Sequence, residues 1–137
     1  MKAQADFGLI GLAVMGQNLV LNINDKGYPV IVYNRTVATV DEFLKGAAKG
    51  RATITGAHSI AEFAAGLSRP RRIMLLVKAG DAVDQTIDQL LPHLEPGDCV
   101  LFKWAHQSIP DPAGDVHLVR GDDVIGIDLR TEEEARI

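Results

Sequence analysis

The 137-residue chain has little of what several classes of protein require. Cys99 is its only cysteine, so no intrachain disulfide can form and a reducing compartment is expected. Cys99 itself falls in an apolar run and reads as a small core residue rather than a nucleophile. No apolar stretch approaches the ~20 residues that cross a bilayer, and Asp6 interrupts the N-terminal segment before a signal peptide can develop. These absences point to the cytoplasm and exclude a membrane partner. His58, His93, His106 and His117 show no metal-ligand spacing and have no cysteine or carboxylate cluster beside them, so no metal site is expected. No Ser–His–Asp or Cys–His arrangement is present, and no catalytic residue is nominated. A formal net charge of −4 argues against a nucleic-acid partner.

The charge is unevenly spread. Residues 1–97 hold ten Lys/Arg and nine Asp/Glu, a balance of +1; residues 98–137 hold four and nine, a balance of −5. The first part suits a phosphate-bearing ligand. The acidic end, Glu132 to Glu134 included, reads as a solvated surface.

What the chain does have is a regular alternation of strand and helix signals. Apolar runs of strand length occur at Ala5–Ile10, Pro29–Tyr33, Ala52–Thr55, Arg72–Val77 and Cys99–Phe102. Between them, Leu12, Met15, Leu19 and Ile23 predict a helix stopped near Gly27. Val37, Val40, Phe43 and Leu44 predict a second, ended by Gly46 or Gly50. Ile60, Phe63, Ala64 and Leu67 mark a third. Val83, Ile87, Leu90, Leu91 and Leu94 mark a fourth that Gly80 or Asp81 opens. Strands alternating with helices in this way predict a doubly wound, mainly parallel α/β sheet. Residues 1–102 form its core and residues 103–137 a continuation of the same domain. In that continuation, Val116–Val119 and Val124–Ile127 are candidate strands, and Glu132–Ile137 is a helical fragment or frayed end.

The most informative segment is Phe-Gly-Leu-Ile-Gly-Leu-Ala-Val-Met-Gly-Gln-Asn at 7–18. Gly11, Ala13 and Gly16 occupy the small-residue positions of a G-x-[GA]-x-x-G turn. Gly11 permits the tight turn, Ala13 leaves room for a pyrophosphate, and Gly16 lets helix and strand pack closely. Alone such a pattern is weak. Here it follows a strand, opens a helix and precedes a second strand, which is the context that makes it a dinucleotide fingerprint. Free N–H groups and the positive helix dipole at that turn suit a pyrophosphate.

The second strand ends in Asn34-Arg35-Thr36, where an NAD site ordinarily places a carboxylate for the ribose 2′-hydroxyl. Arg35 offers instead a planar fork for a 2′-phosphate, which predicts NADP rather than NAD. The competing reading is a solvent-exposed arginine with Thr36 as a helix N-cap. Lys78-Ala79-Gly80 follows the fourth strand at the edge where ligands bind in open sheets. Arg69, Arg71 and Arg72 precede that strand, lie at the opposite edge and read as surface charge.

By these residues the chain resembles the 6-phosphogluconate dehydrogenase family of NADP-dependent, decarboxylating enzymes. The resemblance covers about residues 3–98 and rests on Gly-Leu-Ala-Val-Met-Gly-Gln-Asn (11–18), Asn34-Arg35-Thr36, Arg69-Pro70-Arg71-Arg72, Val77-Lys78-Ala79-Gly80 and Pro96-Gly97-Asp98. It implies a Rossmann-type fold and oxidative decarboxylation of 6-phosphogluconate to ribulose 5-phosphate in the pentose phosphate pathway. It implies further that Ala13, Val14 and Met15 line the pyrophosphate and nicotinamide side, with Gly11, Leu12 and Gly16 of the same turn counted among the cofactor-binding residues. Asn34, Arg35 and Thr36 would hold the 2′-phosphate, and Val77, Lys78 and Ala79 would border a cofactor ribose.

After Asp98 the chain departs from the family. Lys103-Trp104-Ala105-His106-Gln107 stands where the family has Asp-Gly-Gly-Asn-Ser, and Leu129-Arg130-Thr131 where it has a substrate-binding Ser-Gly-Gly. By resemblance, the catalytic lysine, the His-Asn pair and the helical dimer domain would fall beyond residue 137. The chain alone is therefore expected to bind cofactor without catalysing. The alternatives are a non-catalytic dinucleotide sensor or partner-binding module, and a truncated product without function. An absent helical domain would also bare an apolar patch, predicting self-association or pairing with a full-length homologue.

Overall fold

A computed structural model of the chain describes residues 5–78, 80–102 and 117–120. Six strands, β1 (Phe7–Ile10), β2 (Val30–Tyr33), β3 (Ile54–Gly56), β4 (Arg72–Leu75), β5 (Cys99–Phe102) and β6 (His117–Arg120), form one sheet in the order β3-β2-β1-β4-β5-β6. Every pairing is parallel, with Gly8 opposite Ile31 on one side and Ile73 on the other. Among the described residues, four α-helices connect β1 through β5: α1 (Val14–Asp25), α2 (Val37–Lys45), α3 (Ile60–Ala65) and α4 (Asp81–Leu90). The chain steps outward from β1 to β3, then returns to the far side of β1. That reversal leaves a crevice above the carboxyl ends of β1 and β4.

The two faces of the sheet are sorted by the period-two alternation of its strands. Phe7, Leu9, Val30, Val32 and Met74 point one way and meet Val20 of α1 with Val40 and Phe43 of α2. Ile10, Ile31, Ile73 and Leu75 point the other way and meet Phe63 of α3 with Val83, Ile87 and Leu90 of α4. Burial on both faces is why these strands carry β-branched and aliphatic residues without polar interruption.

Element boundaries differ from the sequence reading for local reasons. The fourth helix ends at Leu90 and tightens into a 3₁₀ turn over Leu91–His93, because Pro92 cannot continue an α-helix. Leu67 lies beyond α3, where it forms a bridge to Ala5 and packs in the core. The strand predicted at Val116–Val119 is β6, one residue later. The expectations for Val124–Ile127 and Glu132–Ile137 lie outside the described residues.

The surface-charge reading fails at two of the three arginines: Arg72 opens β4 and is half-buried, with its Nε shielded from solvent. Arg71 is not surface charge: it is 6% exposed, and its partner Asp98 is 1% exposed. The Asp98 carboxylate accepts from Arg71 Nη1 at 2.9 Å, from the Arg71 amide at 2.7 Å and from the Glu95 amide at 2.8 Å. Arg71 Nε donates to the Ala64 carbonyl at 2.9 Å. The pair ties the starts of β4 and β5 to the end of α3, at the sheet edge opposite the crevice. Arg69, two residues earlier, is a surface residue as expected, 3.0 Å from exposed Glu95.

A dinucleotide cleft at the switch point

The cleft begins where β1 stops. Gly11 has φ +114°, and a Cβ there would collide with the Leu76 carbonyl, so the turn passes directly over the end of β4. A Cβ on Gly16 would collide with the Gly11 carbonyl oxygen. The glycine thus sets how closely the first turn of α1 sits on the strand that feeds it. Ala13 is the N-cap residue and has no side chain able to cap, so no side-chain acceptor covers the first amides of α1. Gly11 and Gly16 therefore do what the sequence reading asked of them, one permitting the tight turn and the other the close packing of helix on strand.

A second tier of contacts fixes the turn. Gly11 N donates to the Tyr33 carbonyl at 3.0 Å. The Leu12 amide donates to Asn34 Oδ1 at 2.8 Å, and the Leu12 carbonyl accepts from Gln17 Nε2 at 2.9 Å. Asn34 Nδ2 in turn donates to the Thr36 carbonyl at 3.1 Å.

Of the residues singled out from the sequence, Gly11, Leu12, Ala13, Asn34, Arg35, Thr36, Val77 and Lys78 are brought together as walls of one cleft. Gly16 stands behind it, packed on Gly11. Val14 and Met15 open α1 and are 76% and 71% exposed, outside the lining. Thr36 is the N-cap residue of α2 without a side-chain capping bond, so its hydroxyl is not committed to that helix. Ala79 lies outside the described residues, as do Trp104 and the rest of 103–116.

Sequence reasoning missed the wall supplied by α4. Ala82, Gln85, Thr86 and Gln89 recur at helical spacing and face the cleft, whereas Val83, Ile87 and Leu90 face the core. The signal was present as an uncharged stripe at i, i+3, i+4 and i+7, three of its four residues polar, distinct from the exposed Asp81 and Asp88 and from half-buried Asp84. Among the described residues, none that lines the cleft carries a carboxylate, and Arg35 and Lys78 supply two cations. Such walls suit a polyanion, with the helix N-terminus adding its own positive end.

Outside the cleft, His58 Nε2 lies 2.9 Å from Asp41 Oδ1. The hydrogen bond and charge of Asp41 raise the His58 pKa above the ordinary 6.5. Among the described residues, no group of three or more His, Cys, Asp or Glu could hold a metal ion. None of the described helices is long and apolar enough to cross a membrane.

Sheet order, switch-point crevice and fingerprint turn together define a Rossmann-type dinucleotide-binding domain. The comparisons narrow the class. Over residues 6–103 the sequence matches the family model described as the NAD binding domain of 6-phosphogluconate dehydrogenase, and the chain belongs to that family. It is 59% identical over 111 residues to the decarboxylating 6-phosphogluconate dehydrogenase of Haemophilus influenzae, a match covering 81% of this chain and 22% of that one. With the Candida albicans enzyme of the same name it shares 64% over 109 residues, 80% of this chain and 21% of the relative.

Among solved structures, Plasmodium falciparum 6-phosphogluconate dehydrogenase, studied apo, with NADP+ and with 6-phosphogluconate, superposes with a TM-score of 0.66. The identity is 44%, covering 74% of this chain and 22% of that one. An imine reductase from Aspergillus terreus shares the fold alone, at 18% identity and TM-score 0.58, over 77% of this chain and 34% of its own. The chain spans about a fifth of the length of the curated relatives it matches.

Proposed function

We propose that the chain binds NADP in this cleft in preference to NAD. The observation that supports the preference is electrostatic: the tip of β2 presents Arg35 where an NAD site holds an acid, and among the described residues no carboxylate lines the cleft. The pyrophosphate would lie against the start of α1, over Gly11, Leu12 and Ala13, with Val14, Met15 and Gly16 continuing that side toward the nicotinamide. Arg35 and Thr36, with Asn34 beside them, would hold the 2′-phosphate; Val77, Lys78 and Ala79 would border a ribose. The bound nicotinamide supplies two-electron redox chemistry, while the residues of this chain bind and orient it.

In the longer relatives the same unit belongs to decarboxylating 6-phosphogluconate dehydrogenase. We assign this chain the cofactor-binding share of that reaction, within the cytoplasmic pentose phosphate pathway and without catalysis by the chain alone. Residues 1–102 are the dinucleotide-binding core and 103–137 its continuation. The apolar Val14 and Met15 at the mouth favour self-association or pairing with a full-length homologue.

Calorimetric titration with NADPH and with NADH tests the reading. Arg35 in a charge-assisted, two-pronged contact is worth roughly 1.5–3 kcal/mol, a preference of about tenfold to a hundredfold. Arg35→Ala should abolish that preference and leave NADH binding in place. Failure of the chain to bind either dinucleotide, or equal affinity for both, would count against it.

A further inference from the structure

The Asn34 carboxamide does something that a ligand contact does not explain. It is half-buried, and both of its ends are engaged by backbone: Oδ1 accepts from the Leu12 amide at 2.8 Å, and Nδ2 donates to the Thr36 carbonyl at 3.1 Å. Leu12 and Asn34 are 22 residues apart and belong to different strand–helix turns. The Leu12 peptide is also gripped at its other end, where Gln17 Nε2 reaches its carbonyl at 2.9 Å. One amide side chain therefore holds the pyrophosphate turn, and the same amide holds the loop that carries Arg35.

Resting on the reading of the cleft as an NADP site, we infer that Asn34 is a positioning residue that couples the Gly11–Ala13 turn to the Arg35 loop. Its action on cofactor affinity runs through Leu12 and Thr36. The physical requirement is for one acceptor and one donor on a short, planar side chain. A carboxylate retains the acceptor for Leu12 but turns an oxygen toward the Thr36 carbonyl and sets a negative charge beside Arg35. A methyl group retains neither bond, and leaves the Leu12 amide without its partner in a buried residue.

The coupling makes the two variants differ in kind. Asn34→Ala frees both loops, so NADPH and NADH should each weaken by about tenfold, the effect of one lost hydrogen bond on a turn both ligands use. Asn34→Asp keeps the turn and disturbs the Arg35 loop, so NADH affinity should return to that of the wild type while NADPH stays weak. A residue that merely touched the 2′-phosphate would weaken NADPH alone in both variants, and that result overturns the inference. A merely structural residue would lower thermal stability equally in both without separating the two ligands, which also overturns it.

Hydrogen exchange of the Leu12 amide reports the tie without any ligand. It should be slow in the wild type and in Asn34→Asp, and fast in Asn34→Ala; equal protection in all three overturns the inference. A wild-type chain that protects Leu12 yet binds neither dinucleotide would instead defeat the reading of the cleft, leaving the tie as fold architecture only.

Discussion

Replacing Arg71 by methionine removes a guanidinium from the core while keeping much of its apolar stem. Two hydrogen bonds disappear, from Nη1 to Asp98 and from Nε to the Ala64 carbonyl. Asp98 is left as a carboxylate 1% exposed to solvent. Breaking a buried pair by removing one partner typically costs 3–5 kcal/mol, because the surviving charge is uncompensated. Here the Arg71 and Glu95 amides continue to donate to Asp98. The loss should therefore fall near the lower end, about 3 kcal/mol.

Against a total stability of roughly 5–15 kcal/mol this is a large fraction, and it corresponds to a fall in Tm of roughly 10 °C. Urea unfolding followed by circular dichroism measures it: the midpoint should drop with the slope m unchanged. Arg69 provides an internal control two residues away, because its ion pair with Glu95 has side chains 64% and 45% exposed. Arg69→Met should cost no more than about 1 kcal/mol. Equal effects of the two substitutions, or a loss below about 1 kcal/mol for Arg71→Met, would refute the claim that burial makes this pair matter. NADPH affinity of the folded variant should be unchanged, since the pair and the cleft occupy opposite edges of the sheet.

Gly16→Ala tests the close approach of α1 to β1. Alanine is favoured over glycine by about 1 kcal/mol inside a helix, yet the added methyl meets the Gly11 carbonyl. The variant should be destabilised by about 1–3 kcal/mol and should weaken both dinucleotides, read by thermal unfolding and calorimetry; a stabilised variant would contradict the packing argument. For His58, the imidazole titration followed by NMR should have its midpoint above 6.5 in the wild type and return toward 6.5 in Asp41→Asn. Because the folded-state pKa is raised, any stability the pair contributes is complete below the unfolded value near 6.5. It is lost as pH rises through the folded-state pKa, and His58→Gln should flatten that dependence.

Where a residue's role depended on neighbours close in sequence, the sequence carried it. Gly11, Ala13 and Gly16 sit within six positions, and the apolar run before them made both the strand and the turn legible. Apolar runs placed β1, β2, β4 and β5, because a strand buried on both faces writes itself as a run with few polar interruptions. Arg71 shows the limit. Its burial depends on Asp98, 27 residues on, which becomes its neighbour only when β4 and β5 pair. In Arg69-Pro70-Arg71-Arg72 nothing local separates the buried Arg71 from the exposed Arg69. The α4 wall was a different omission: Gln85, Thr86 and Gln89 are chemically quiet, and only the orientation of the helix over the crevice gives them a surface to line. Asn34 was noticed for its position beside Arg35, but the partner that explains its geometry, the Leu12 amide, is a backbone group that no residue pattern displays.

The contact of Gly11 with the end of β4 also governs how a ligand arrives. The floor of the cleft is seated on the sheet before anything binds, whereas Arg35 and Lys78 are long cations reaching into solvent at its rim. Encounter should therefore be a matter of long-range attraction: association slows as ionic strength rises, while dissociation, set by a floor that has no rearrangement to undo, changes little. A single kinetic phase with all its salt sensitivity in the forward rate is the signature of a preformed floor with its cations at the rim.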